Sequence, residues 1–151
     1  MAFAVKDTLD VIRSELMTTN HFSAVEIGEP KSPPADAKIT VHLWMSSISV
    51  VALTLSKTIE VYVITVRVMS GMFQEPEALI ETQMAEVVSR VSEELFANFS
   101  LDNKIRHIDI GGIYGVNYRA DWGHADISGK LFRVADITLP LVVDDSASHT
   151  P

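Results

Sequence analysis

The side chains able to do chemistry are five histidines, 20 carboxylates and a short glycine-rich run, and their spacing limits what they can do. His21, His42, His107, His124 and His149 include no pair at i and i+4 of a helix, the arrangement a metal site uses. Two carboxylate pairs stand side by side, Glu93-Glu94 and Asp144-Asp145. Acid–base work needs two carboxyls in different environments of one cleft. Neighbours on a helix point about 100° apart, and both pairs read as solvated charges. Gly111-Gly112 with Gly115 matches neither G-x-G-x-x-G nor the P-loop and reads as a bulge or turn. No G-x-S-x-G elbow occurs, and no cysteine is present to act as nucleophile or thiolate ligand. The expectation is no catalytic, cofactor or metal residue. The alternative is a small cytosolic oligomeric enzyme with its site shared between subunits, using His42, Glu60 or His107 as acid–base groups.

Those residues sit in a chain of 151 residues, 47% apolar and 21% charged, the proportions of one ordinary globular domain and not of a disordered chain. The net charge of −8 argues against a surface that grips nucleic-acid phosphates. It is uneven: residues 71–103 hold one Arg against seven carboxylates. Charged residues interrupt Met1 to Leu16, so no signal peptide is expected there. The greasiest run, Ile59 to Met69, contains Glu60 and Arg67 and is short of the ~20 apolar residues of a membrane span.

The elements follow from periodicity. Val5, Leu9, Ile12 and Leu16 make one stripe of a helix over about 3–17. Phe22 to Ile27 alternates weakly as a strand, and Pro30, Pro33 and Pro34 mark a loop. Lys38 to Met45, Ser49 to Leu55 and Ile59 to Met69 read as an antiparallel meander with Ser46-Ser47 and Ser56-Lys57-Thr58 as turns; the last strand is apolar enough for burial on both faces. A long helix starts near Glu75 with Pro76 in its first turn and ends at about 97–99. It buries Ile80, Met84, Val87, Val88, Val91 and Leu95 and turns Thr82, Glu86, Ser89 and Glu93 outward. Arg106 to Ile110 and Ile113 to Tyr118 read as short strands, Ala120 to Gly129 as an exposed loop. Leu131 to Val143 is a long closing strand in which Pro140 implies an edge or an end. The fold class is α+β, a mostly antiparallel sheet with an N-terminal helix and one long central helix, in a single domain over 1–145 with a frayed tail at 146–151. Long strands and scattered aromatics, including Trp44, Tyr62, Tyr114, Trp122 and Phe132, suggest that copies of the chain cover one another's edges.

Four stretches carry a resemblance. They are Val41-His42-Leu43-Trp44-Met45-Ser46-Ser47-Ile48; Val61 to Val68 leading into Met72-Phe73-Gln74-Glu75-Pro76; Ile108-Asp109-Ile110-Gly111-Gly112-Ile113-Tyr114-Gly115; and Gly129 to Val134 with Asp136 to Val143. In these, and in the order of its elements, the chain resembles the tail terminator proteins of long, non-contractile-tailed, lambda-like bacteriophages, most closely those of actinobacterial phages. The resemblance implies a homohexameric ring on the last ring of the major tail tube protein. Such a ring stops tube growth, offers a surface to the head connector or stopper protein, and lets genomic double-stranded DNA pass through its lumen. It implies a place at the tail end of the virion, reached from the host cytoplasm. The interface residues expected from loops and charge are Ser46, Ser47, Trp122, His124 and Asp126, with Glu86 and Glu93 on an acidic ring or lumen face. Another neck or tail role, as head completion, stopper or tube protein, is the neighbouring expectation.

Overall fold

The computed structural model describes residues 5–18, 24–30, 39–53, 58–71, 77–98, 100–102 and 104–144. Its elements are α1 (Val5–Met17), β1 (Ala24–Ile27), β2 (Thr40–Leu53), β3 (Thr58–Gly71), α2 (Glu77–Ala97), β4 (His107–Ile108), β5 (Arg119–Ile127) and β6 (Lys130–Asp144). The class is α+β with a mostly antiparallel curled sheet. The strands run in the order β1-β2-β3-β6-β4, and β5 also lies against β6. Among the described strands only β1 is parallel to its neighbour, Val25 standing beside Val41.

Both helices cover one face of the sheet. The α1 stripe Leu9, Ile12 and Leu16 and the α2 stripe Ile80, Met84, Val87, Val88, Val91 and Leu95 are buried, as their periodicity predicts. They pack on Val41, Leu43, Tyr62, Ile64, Val66 and Val68 and on alternate residues of β6 from Ala135 to Val143. Arg13 Nε donates to the Val25 carbonyl at 2.8 Å, fixing α1 to the edge strand. Asn98 Nδ2 donates to Glu15 Oε1 at 3.0 Å, joining the C-terminal ends of the two helices. On the opposite face Met69, Ile127, Phe132 and Val134 form a second, smaller cluster, so β3 and β6 are buried on both sides.

Several expectations need correction. Ser46-Ser47 is not a turn. β2 runs through it, with a register shift between Met45 and Ser47 that leaves Ser46 as an extra residue. Neither serine supplies the positive φ of a tight turn, whereas a bulge takes one unpaired residue of any type. Ser46 Oγ hydrogen-bonds Thr65 Oγ1 on β3. Beyond the bulge the parity of β2 changes: Val41, Leu43 and Met45 face the helices, and then Ile48 and Val50 do, opposite Tyr62 and Glu60. Ala120 to Gly129 is not a loop but most of β5, turned into β6 by Ser128 and Gly129, with φ of 53° and 83°. Two positive φ values make the type I′ turn that suits a two-residue hairpin. The Asp126 carboxylate accepts the Gly129 amide at 2.8 Å and closes it.

Ile113 to Tyr118 is loop rather than strand, and β4 keeps only His107 and Ile108 of the expected strand. Pro140 lies inside β6, paired with Val63, and not at an edge or end. Its carbonyl accepts the Asp109 amide on the side away from β3. The missing proline N–H points that way too, into the gap between Ile108, where β4 ends beside Leu141, and Arg119, where β5 begins beside Thr138. No ladder bond to β3 is lost, so the usual exclusion of proline from a central strand does not apply. The expected turn at 56–58, except Thr58, the loop at 31–37, His21, His149 and the tail at 146–151 lie outside the described residues.

Ile137 is fully buried where β6 meets α2 and β3. Ile137→Ala is expected to cost about 2–5 kcal/mol, read as a lower denaturation midpoint in urea with an unchanged slope.

Candidate assembly surface

The acid–base candidates do not converge. His42 stands opposite Arg67 on the face away from the helices. Glu60 is several residues along β3 on the helix face, opposite Val50 and Val143, where it accepts a hydrogen bond from the Tyr62 hydroxyl at 3.1 Å. His107 stands beside Val142 on the far edge. Among the described residues no group of three His, Asp or Glu side chains is placed to hold a metal ion. A shallow groove of about 250 Å³ beside α1 is lined, among the described residues, by Asp10, Val11, Ser14, Glu15, Thr18 and Asp102, none of which is a cation or an aromatic ring.

What the sheet does assemble is a transverse row of charge. Glu26, His42, Arg67, Asp136 and Asp121 are register neighbours across five strands, on the face opposite the helices. Arg67 holds Asp136 bidentately, Nε to Oδ1 at 2.7 Å and Nη2 to Oδ2 at 2.9 Å. Trp44 stacks on the same guanidinium, 5.3 Å from ring centre to carbon. This row escaped the sequence reading, although each of two long apolar strands carries an interior charge of opposite sign. Burial pulls the His42 imidazole below its ordinary 6.5; Glu26 opposes the shift and Arg67 adds to it.

The expected interface residues fall on two opposite edges. Ser46 and Ser47 lie on the outer part of β2, past the end of β1, where Ser46 to Val50 are exposed. Ile48 and Val50 are 57% and 61% exposed. Trp122, His124 and Asp126 occupy alternate positions of β5 on the helix face and are also exposed. Among the described residues β1 leaves the outer edge of β2 after Leu43, so that no strand lies against that edge beyond it, and none lies against the outer edge of β5. Glu86 and Glu93 are exposed on α2 two turns apart, on the crest away from the sheet. Arg133, next to His124 in register, is held by Glu81 of α2 at 2.7 Å and donates to the Gly123 carbonyl at 3.1 Å, which fixes β5 under the helix.

The loop between β4 and β5 is the other structured surface. Asp109 is 1% exposed, and its two carboxylate oxygens accept the amides of Ile113 and Tyr114, each at 2.9 Å. The Tyr118 amide closes the loop on the Ile110 carbonyl at 3.2 Å. Gly112 has a φ of 74°, and a Cβ there would come within 2.9 Å of the Asn117 Cβ, so glycine is required. Tyr118 anchors the stem: its ring meets Phe96 edge-on at 4.7 Å and its hydroxyl lies 2.6 Å from Ser92 Oγ. The loop thereby presents Ile110 at 46% and Ile113 at 81% exposure. The Gly-Gly pair was the visible signal, but nothing in the sequence tied it to Asp109. No protein family matches the sequence, and no curated protein is similar to it.

Two outcomes follow. Near pH 6 folded His42 binds fewer protons than unfolded His42, so its contribution to stability falls as pH drops through the ordinary histidine range. Melting temperature is expected to decline between pH 8 and 5, and less steeply in His42→Gln. Asp109→Ala leaves two amides without their acceptor and is expected to cost about 1–3 kcal/mol. Faster amide exchange at residues 113 and 114 would report the loosened loop.

Proposed function

We propose that the chain is the subunit of a homohexameric ring that terminates the tail tube of a long, non-contractile-tailed bacteriophage. The observation that carries this reading is the pair of dissimilar sheet edges, outer β2 on one side and the β4–β5 side on the other, that no strand among the described residues covers. Unlike edges join head to tail, and a head-to-tail contact that turns about 60° per copy closes on six subunits. The four stretches that resemble tail terminators include both edges: β2 through Ser46 and Ser47, and the loop from Ile108 to Gly115. Such a ring would sit on the last ring of the major tail tube protein and meet the head connector or stopper protein, at the tail end of the virion. Charge supports passage of DNA through the lumen without grip. The subunit carries −8, and the exposed crest of α2 holds Glu86 and Glu93 against the single Arg90, a net negative face that repels phosphates.

Light scattering of the purified 16.6 kDa chain is expected to give the mass of six copies, at high concentration or with tail tubes present. Negative-stain images should show single rings and capped tubes. Long tubes formed by this chain alone would assign it to the tube instead, and a lasting monomer that ignores tube ends would remove the reading.

A further inference from the structure

We propose that the loop 109–118 of one copy seats on the outer segment of β2 in the next, with Ile113 packed against Ile48 and Val50. The inference rests on the head-to-tail ring and names the contact that builds it. Three observations converge on these partners. The first is level. Ile48 stands opposite Tyr62, Tyr62 opposite Leu141, and Leu141 opposite Ile108, so one line across the sheet runs from the exposed part of β2 to the strand that launches the loop. Copies joined side by side without slipping along the strands bring that loop to Ile48.

The second observation is charge. Copies of a chain carrying −8 repel one another, and they approach at least cost where neither surface is ionised. Ser46 to Val51 and Ile110 to Tyr118 contain no ionisable acid or base except the phenols of Tyr114 and Tyr118. Outer β5, by contrast, carries Arg119, Asp121, His124 and Asp126.

The third observation is shape and side. Ile48 and Val50 point to the helix face, and Tyr118 roots the loop on α2, on that same face. Both partners expose branched aliphatic side chains that the monomer does not cover. The Asp109 carboxylate and the tight Gly112 turn hold Ile113 out on a rigid support, so little ordering entropy is spent when it docks.

The absence of cysteine makes the test direct. Ile113→Cys and Ile48→Cys are made as separate proteins, with tags of different size, and mixed under mild oxidation. Disulfide dimers joining the two variants, at least tenfold over the product of either variant alone, are the expected result. Ile113→Asp is expected to weaken assembly at least tenfold while leaving circular dichroism and melting temperature unchanged, because the residue is mostly exposed. If the wild type forms rings but the mixed disulfide does not appear and Ile113→Asp assembles normally, the contact is wrong and the ring stands. Disulfides formed mainly between two Ile113→Cys chains would overturn the head-to-tail arrangement. A wild type that stays monomeric, even on tube ends, overturns the ring and the contact together.

Discussion

Strand β6 has neighbours on both of its edges, and the rest of the fold is arranged around meeting that demand. β3 runs beside it from Ile59 to Gly71. The other edge is shared, by β5 up to Thr138 and by β4 from Leu141. A buried backbone amide without a partner costs as much as a lost hydrogen bond, so a strand buried on both faces has few ways to end one partner and begin another. Here Pro140 fills the change-over, a residue with no amide to orphan. The break also sets where the chain between β4 and β5 leaves the sheet, and hence where the Asp109-organised loop stands.

The transverse charged row is a second constraint of the same kind. Placing Arg67 and Asp136 in adjacent apolar strands costs desolvation, which the bidentate contact offsets and does not greatly exceed. Its effect on register is larger. A one-residue slip of β3 against β6 would part the two charges and turn either Val66 or Ile137 away from the helices. Charge and apolar pattern therefore specify the same alignment, and the stacked Trp44 extends that agreement to β2.

The helices and the two central strands were readable because one side of each is buried along its whole length. Leu9, Ile12 and Leu16 repeat with the helical period, and Ala135, Ile137 and Leu139 with the strand period. Edges were harder to read. β5 carries Arg119, Asp121, His124 and Asp126 in nine residues, since among the described residues no strand lies against its outer edge, and such a composition looks like a loop. The serines at 46 and 47 hid a continuous strand because the extra residue breaks the alternation a strand is recognised by. The seven surface residues expected from sequence are all exposed, but the most exposed large aliphatic side chain among the described residues, Ile113, was not one of them. Its exposure depends on Asp109 accepting two amides, a contact that requires the folded loop.

The bulge at Ser46 has a bearing on which length changes β2 can absorb. Ser46 has no counterpart on β3, so excising it would leave Ser47 against Val63 and Ile48 against Tyr62, with every later side chain on its present side. Removing one residue between 47 and 50 instead would turn part of the strand over and send aliphatic groups to the opposite surface. Val51 is a second such residue, between Val50 opposite Glu60 and Ala52 opposite Ile59, so a gene encoding this fold can drop the codon for either extra residue and keep its outline, while a loss between the two would turn over the side chains up to the second bulge.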